Sequence, residues 1–190
     1  MSRLKLERKR VRSCPLSTQP KYATQGAVHR RTESAILQGT KELIAKFGLS
    51  NISMIEIADH SQVSRATLYN HFKDKSAVLD SLLKSEVDRL IQIITEAKTP
   101  VDALELLSKE ISSDSALNTM RVHDGVTLNS LMVHAEHPLY LQLARAVHER
   151  TNSEAGTGLA MHWLLGQIAQ PISEKASREQ AELLVDRTLL

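Results

Sequence analysis

Apolar residues recur at three-to-four spacing over most of the chain beyond residue 31. No segment alternates apolar and polar positions as a half-buried strand would. The pattern predicts an all-α protein. A first helix is expected over about residues 32–47, with Thr32 as N-cap, Ile36, Leu37, Thr40, Leu43, Ile44 and Phe47 as its stripe, and Gly48 as its stop. Ser53-Met-Ile-Glu56 reads as a capping box opening a short helix over about 53–60. Ser64 caps a second short helix over about 64–71. Asp74 caps a longer one whose broad face carries Val78, Leu79, Leu82, Leu83, Val87, Leu90, Ile91 and Ile94. Thr99-Pro100 opens a fifth helix with proline in its first turn. Further on, Pro138 breaks or begins a helix, and Gly156 and Gly158 mark a loop. An apolar helix is expected over about 159–170. A last one starts at Ser177, inside a second capping box (Ser177-Arg-Glu-Gln180).

Composition narrows the class. The 190 residues are 42% hydrophobic, enough for a sizeable core, and no apolar run is long enough to span a bilayer. The basic N-terminus lacks the apolar stretch of a secretory signal. A single cysteine, Cys14, excludes an internal disulfide framework and a cysteine zinc site, as suits a reducing cytoplasm. The net charge of +2 hides a strong asymmetry. Residues 1–31 hold nine Lys/Arg against one acid, residues 32–98 hold eight against nine, and residues 99–190 hold seven against twelve. A basic arm on an acidic body hints at nucleic acid. Because residues 1–31 lack apolar periodicity and carry Pro15, Pro20 and Gly26, they read as a disordered arm.

Two short helices joined by a tight turn, the second opening at a capped serine, form a helix-turn-helix pattern. In such a unit the second helix lies in the major groove and reads base edges from its N-terminal part. The run from Ile55 to Lys75, with its Ile57-Ala58 pair, Val63-Ser64 turn, Leu68-Tyr-x-His71-Phe72 helix and following Lys75, resembles the TetR family of bacterial regulators. The resemblance covers roughly residues 33–83. Tyr69 and His71 can donate to phosphates. Lys73 and Lys75 supply charge, Lys75 at a helix N-terminus, and Ser53 and Ser64 offer hydroxyl or amide donors. Arg65 can pair with a guanine edge, Ala66 and Thr67 can meet a thymine methyl, and Asn70 can reach base or phosphate. Leu68, Phe72, Ile57, Ala58 and Val63 read as core. The sequence departs from the family at Gln62, where glycine is usual and a left-handed backbone is typical. It departs again in its long basic arm, which can track phosphates or enter the minor groove.

The expected organisation is an arm over 1–31, a three-helix DNA-binding domain over 32–76, and a larger helical ligand-binding and dimerisation domain over 77–190. The resemblance implies a homodimer through the last two helices, bound to a double-stranded DNA operator and released by a small-molecule effector. It implies no cofactor and a cytoplasmic, nucleoid-associated setting. Effector candidates are Met120, Met132, Tyr140, Met161 and Trp163. With so few aromatics, an aliphatic pocket fits better than an aromatic cage. His134 and His137, at i and i+3 with Glu136 between, are candidate divalent-metal ligands. Scattered structural histidines are the plainer reading. Two other functions compete: an effector-free architectural DNA-binding protein, and a metal-sensing repressor. An enzyme is least favoured, because no glycine-rich phosphate loop, H-E-x-x-H or nucleophile elbow occurs.

Overall fold

The computed structural model describes residues 21–133 and 136–186. Among the described residues there are ten helices and no strand. They are α1 (Lys21–Phe47), α2 (Met54–His60), α3 (Arg65–His71), α4 (Lys75–Glu96), α5 (Pro100–Ser113), α6 (Ser115–His123), α7 (Gly125–Val133), α8 (Pro138–Thr151), α9 (Glu154–Ala169) and α10 (Glu174–Val185). None is long and apolar enough to cross a membrane.

The cap signals act where the sequence places them. Ser53, Ser64, Asp74 and Thr99 each accept from the amide three residues on, and Ser53 with Glu56 closes the full capping box. Pro138 opens α8. Three expectations fail. The helix α1 begins at Lys21, so residues 21–31 are helix rather than arm, and Thr32 lies inside it, donating its hydroxyl to the Val28 carbonyl. Residues 1–20 of the expected arm lie outside the described residues. Gly156 and Gly158 lie within α9 instead of a loop, because Ser153 caps the Gly156 amide and starts the helix before them. The last helix starts one turn early, capped by Ser173, and Ser177 sits buried in its interior with its hydroxyl bonded back to the Ser173 carbonyl.

Two cores result. One joins α1, α2, α3 and the start of α4 through Ile36, Leu43, Ile44, Ile57, Leu68, Phe72 and Val78, and continues into Ala116 and Met120 of α6 and Leu128 of α7. The other is built from Ile94, Leu104, Leu107, Val147, Met161 and Leu164, with Ala181 of α10 laid against α5. At the centre of this second core is a polar knot. Gln167 Oε1 accepts from the hydroxyls of Ser108 (2.7 Å) and Ser112 (3.0 Å), and the Ser108 and Ser177 hydroxyls lie 2.7 Å apart. Phe47 departs from its stripe and is 55% exposed, since α1 ends there and turns away.

A seam of polar contacts fastens α6 to α1 and the α1–α2 connection, part of the three-helix unit expected to read DNA (the reading domain). Lys41 of α1 reaches both Glu86 and Asp114 at 2.8 Å. Thr119 donates to the Ala45 carbonyl at 2.6 Å. Asp124, buried, accepts from the amides of Leu49 (2.6 Å) and Ser50 (2.9 Å) and from the Ser50 hydroxyl. Burial by itself raises the Asp124 carboxyl, but these hydrogen bonds outweigh it and hold the group below the usual carboxylate range. Gly48 makes the approach possible: its φ of 81° is left-handed, and a Cβ there would meet Asp124 Oδ2 at 2.9 Å.

Asp124→Ala leaves two backbone donors unpaired and is expected to destabilise the protein by about 3 kcal/mol in urea unfolding. Because the folded carboxyl is depressed, its contribution is complete above the unfolded value of about 4 and fades as pH falls through the lower folded value. The gap between wild type and variant is therefore expected to close only below about pH 4.

Candidate nucleic-acid interface

Leu68 is fully buried and Phe72 is 5% exposed, so one side of α3 is anchored in the core. The opposite side is thereby turned to solvent. Arg65, Ala66, Tyr69 and Asn70 are all exposed on it, Tyr69 at 55%. Spacing of one, four and five positions from Arg65 makes this a single helical face beginning at the N-terminus of α3. Among the residues expected to be core, Ile57 and Ala58 are fully buried and Val63 packs partly buried against them.

The turn before α3 carries its own strain. Gln62 has φ 55°, the left-handed conformation for which glycine is suited. The amide of Gln62 bonds to the Asp59 carbonyl at 3.2 Å and that of Val63 to the Ala58 carbonyl at 3.0 Å, which fixes the geometry despite the side chain. Close packing also helps set it: a Cβ on Gly39 of α1 would meet Ser61 Oγ at 2.4 Å, so the turn can sit tightly on α1 only because residue 39 is glycine.

The remaining expected contacts divide. Lys73 is exposed, with only a 3.8 Å pairing to Asp74 at the surface. Ser53 and Ser64 are exposed but already bonded as caps, and the Ser64 hydroxyl also lies 2.7 Å from that of Thr67. Lys75 has another duty: its Nζ donates at 2.7 Å to the carbonyls of Leu49 and Ile52, tying the α1–α2 connection to the start of α4. His71 faces inward enough to stack on His29 of α1, with ring centroids 4.0 Å apart, and its Nδ1 is buried with no hydrogen-bond partner. Burial, followed by the nearby His29 charge, holds the His71 imidazole below its ordinary value.

The described effector candidates are spread over the two cores rather than gathered at one site. Met120 and Met161 are buried in separate cores. Tyr140 and Trp163 are partly buried against the second, and the Trp163 indole donates to Gln180 at 2.6 Å. The side chain of Met132 lies outside the described residues. Of the metal candidates, His137 is the N-cap of α8, its Nδ1 accepting from the Leu139 amide, a local bond that is enough to account for it. His134 lies outside the described residues.

A capped helix pair with an outward face of arginine, tyrosine and asparagine defines a helix-turn-helix DNA-binding domain. Residues 36–82 match the family model of bacterial regulatory proteins, tetR family. Two uncharacterised HTH-type transcriptional regulators of Bacillus subtilis (strain 168) are similar. YxbF is 25% identical over 105 residues, 55% of this chain, and YdeS is 37% identical over 60 residues, 31% of this chain. The matched stretches span only 27% and 30% of those relatives' own lengths. The dihydroxyacetone kinase operon activator DhaS shares the fold, with a TM-score of 0.59 at 17% identity over 81% of this chain and 94% of that one.

Gln62→Gly relieves the left-handed strain and is expected to stabilise the protein by about 0.5–1 kcal/mol in thermal or urea unfolding. Lys75→Met removes two carbonyl contacts and is expected to cost about 1–3 kcal/mol in the same measurement.

Proposed function

We propose that the protein is a transcriptional regulator that binds a palindromic operator as a homodimer and represses transcription until a small molecule releases it. The observation that carries this reading is the exposed Arg65–Ala66–Tyr69–Asn70 face of a helix whose other side is locked in the core. One such face reads a short half-site, so a pair about 34–36 Å apart is needed for a specific operator. Arg65 serves for base discrimination, and Tyr69, Lys73 and the capped helix starts serve for phosphate contact.

Dimerisation through the last two helices is supported by Leu159 of α9 and Leu183 of α10, both more than half exposed. In α10 the apolar side is largely committed within the chain, with Ala181 buried and Arg178 paired to Asp102, Glu105 and Glu182. The α9 face, where Gly166 has open space before it, is the larger contributor. An effector that favours a different α6 position would move the reading domain through Lys41, Thr119 and Asp124, and the coupling is reciprocal. The protein acts in the cytoplasm, at the chromosome.

Genomic footprinting with the purified protein is expected to yield palindromes upstream of a small set of genes. Scattered, sequence-independent protection would defeat the reading. Arg65→Ala is expected to cost about 1–3 kcal/mol at one base position and relax preference there. Tyr69→Phe should weaken all sites alike. Deleting the gene is expected to raise expression from the bound promoters; a fall would instead make the protein an activator, as DhaS is named. Light scattering should give a dimer at micromolar concentration, and Leu159→Glu should shift it to monomer.

A further inference from the structure

The first half of α1 carries a histidine and a glutamate one turn apart, His29 and Glu33. The tertiary fold brings His71 of the recognition helix against them. The nitrogen and oxygen ligand atoms of these three side chains all lie within 4.8 Å of one another. His29 Nδ1 stands 4.0 Å from Glu33 Oε2, too long for a hydrogen bond, so neither atom is committed to the other. A groove of about 410 Å³ lined by Gln25, Val28, His29, Thr32, Thr67 and His71 runs alongside, with room for an ion and a water.

We infer that His29, Glu33 and His71 form a three-ligand site for a zinc-like divalent cation, which clamps the N-terminal half of α1 to the recognition helix. Two imidazoles and one carboxylate are a borderline-soft donor set. That selects Zn²⁺, Co²⁺ or Ni²⁺ over Mg²⁺ and Ca²⁺, which prefer all-oxygen cages. Bond lengths of about 2.0–2.2 Å to a tetrahedral ion put its donors about 3.3 Å apart. Side-chain rotation of the half-exposed His29 and Glu33 supplies the closure, since neither is locked by core packing. The fourth position stays open to water. His71 must be neutral to ligate, and its buried side against His29 already favours that form. A histidine that ligates through one ring nitrogen keeps the other as a donor, so the clamp is compatible with a phosphate contact from the same ring.

The site differs from the sequence expectation at His134 and His137, and its existence is independent of the operator reading because the test contains no DNA. Untagged full-length protein is titrated with Zn²⁺ by calorimetry and with Co²⁺ by absorption. One ion per chain and the visible bands of tetrahedral Co²⁺ are expected. His29→Gln, Glu33→Gln and His71→Gln are each expected to weaken binding at least tenfold, and a His134→Gln/His137→Gln double variant to leave it unchanged. His29 and Glu33 lie outside the core, so circular dichroism of those variants should match wild type and keep the comparison valid. Hydrogen exchange of the α3 amides should slow with Zn²⁺ in wild type and not in His29→Gln. The inference fails if wild type shows no saturable binding at micromolar metal. It fails too if the three single variants bind as wild type, or if the double variant abolishes binding. Metal binding without slowed exchange in α3 would overturn the clamp.

Discussion

The carboxylate of Asp124 is the joint on which the molecule turns. It sits at the end of α6 and satisfies two amides and a hydroxyl in the connection between α1 and α2. A buried carboxylate is tolerated only when such donors surround it, and amides in a sharp connection are costly to leave unpaired. Each side therefore resolves the other's problem. Lys41 repeats the device within α1, bridging Glu86 and Asp114. Around these polar points the apolar contacts are continuous, because Ala116 and Met120 of α6 share a core with Ile36, Ile44 and Leu68. The reading domain is thus not a separate ball on a string. It shares one apolar core with α6 and α7.

The same logic recurs farther from the reading domain, where arginines close helix ends. Arg121 donates to the Gln167 and Ile168 carbonyls at the end of α9, at 2.9 and 2.6 Å. Arg150 donates to Ile94 and Thr95 at the end of α4, at 2.6 and 2.7 Å. Each places a cation where the helix dipole is negative and unsatisfied carbonyls collect. With the Gln167–Ser108 hydrogen bond in the second core, these contacts give the larger half a fixed register that uniform leucine packing would not. Met120 and Met161, attractive as adaptable pocket linings, are instead buried among apolar neighbours, one in each core.

The charge pattern takes a different meaning once residues 21–31 are helical. Lys21, Arg30 and Arg31 belong to α1, leaving six of the nine N-terminal Lys/Arg in the first twenty residues. The extension of α1 is also what lets His29 reach His71. From the sequence this stretch had no apolar stripe to announce it, and residues 25–31 are exposed or only partly buried. Helix continuation is cheap once α1 is nucleated downstream, so a polar segment can remain helical without the periodicity that normally reveals it.

Local chemistry was sufficient for the elements whose signals are short-range. The caps at Ser53, Ser64, Asp74 and Thr99, the proline starts of α5 and α8, the buried side of α3 and the left-handed turn at Gln62 all follow from residues within one turn of each other. Backbone donors and side-chain oxygens three residues apart need no tertiary partner to find one another. What only the folded chain decided were the partners many residues apart. Asp124 meets Leu49, Lys41 meets Asp114, Ser177 is drawn inside α10 because Ser108 awaits it, Lys75 turns to carbonyls instead of outward, and His29 stacks on His71. In each case a polar group whose role is undefined by its neighbours in sequence acquires it from the cost of leaving it, or the group opposite, unpaired in a packed interior.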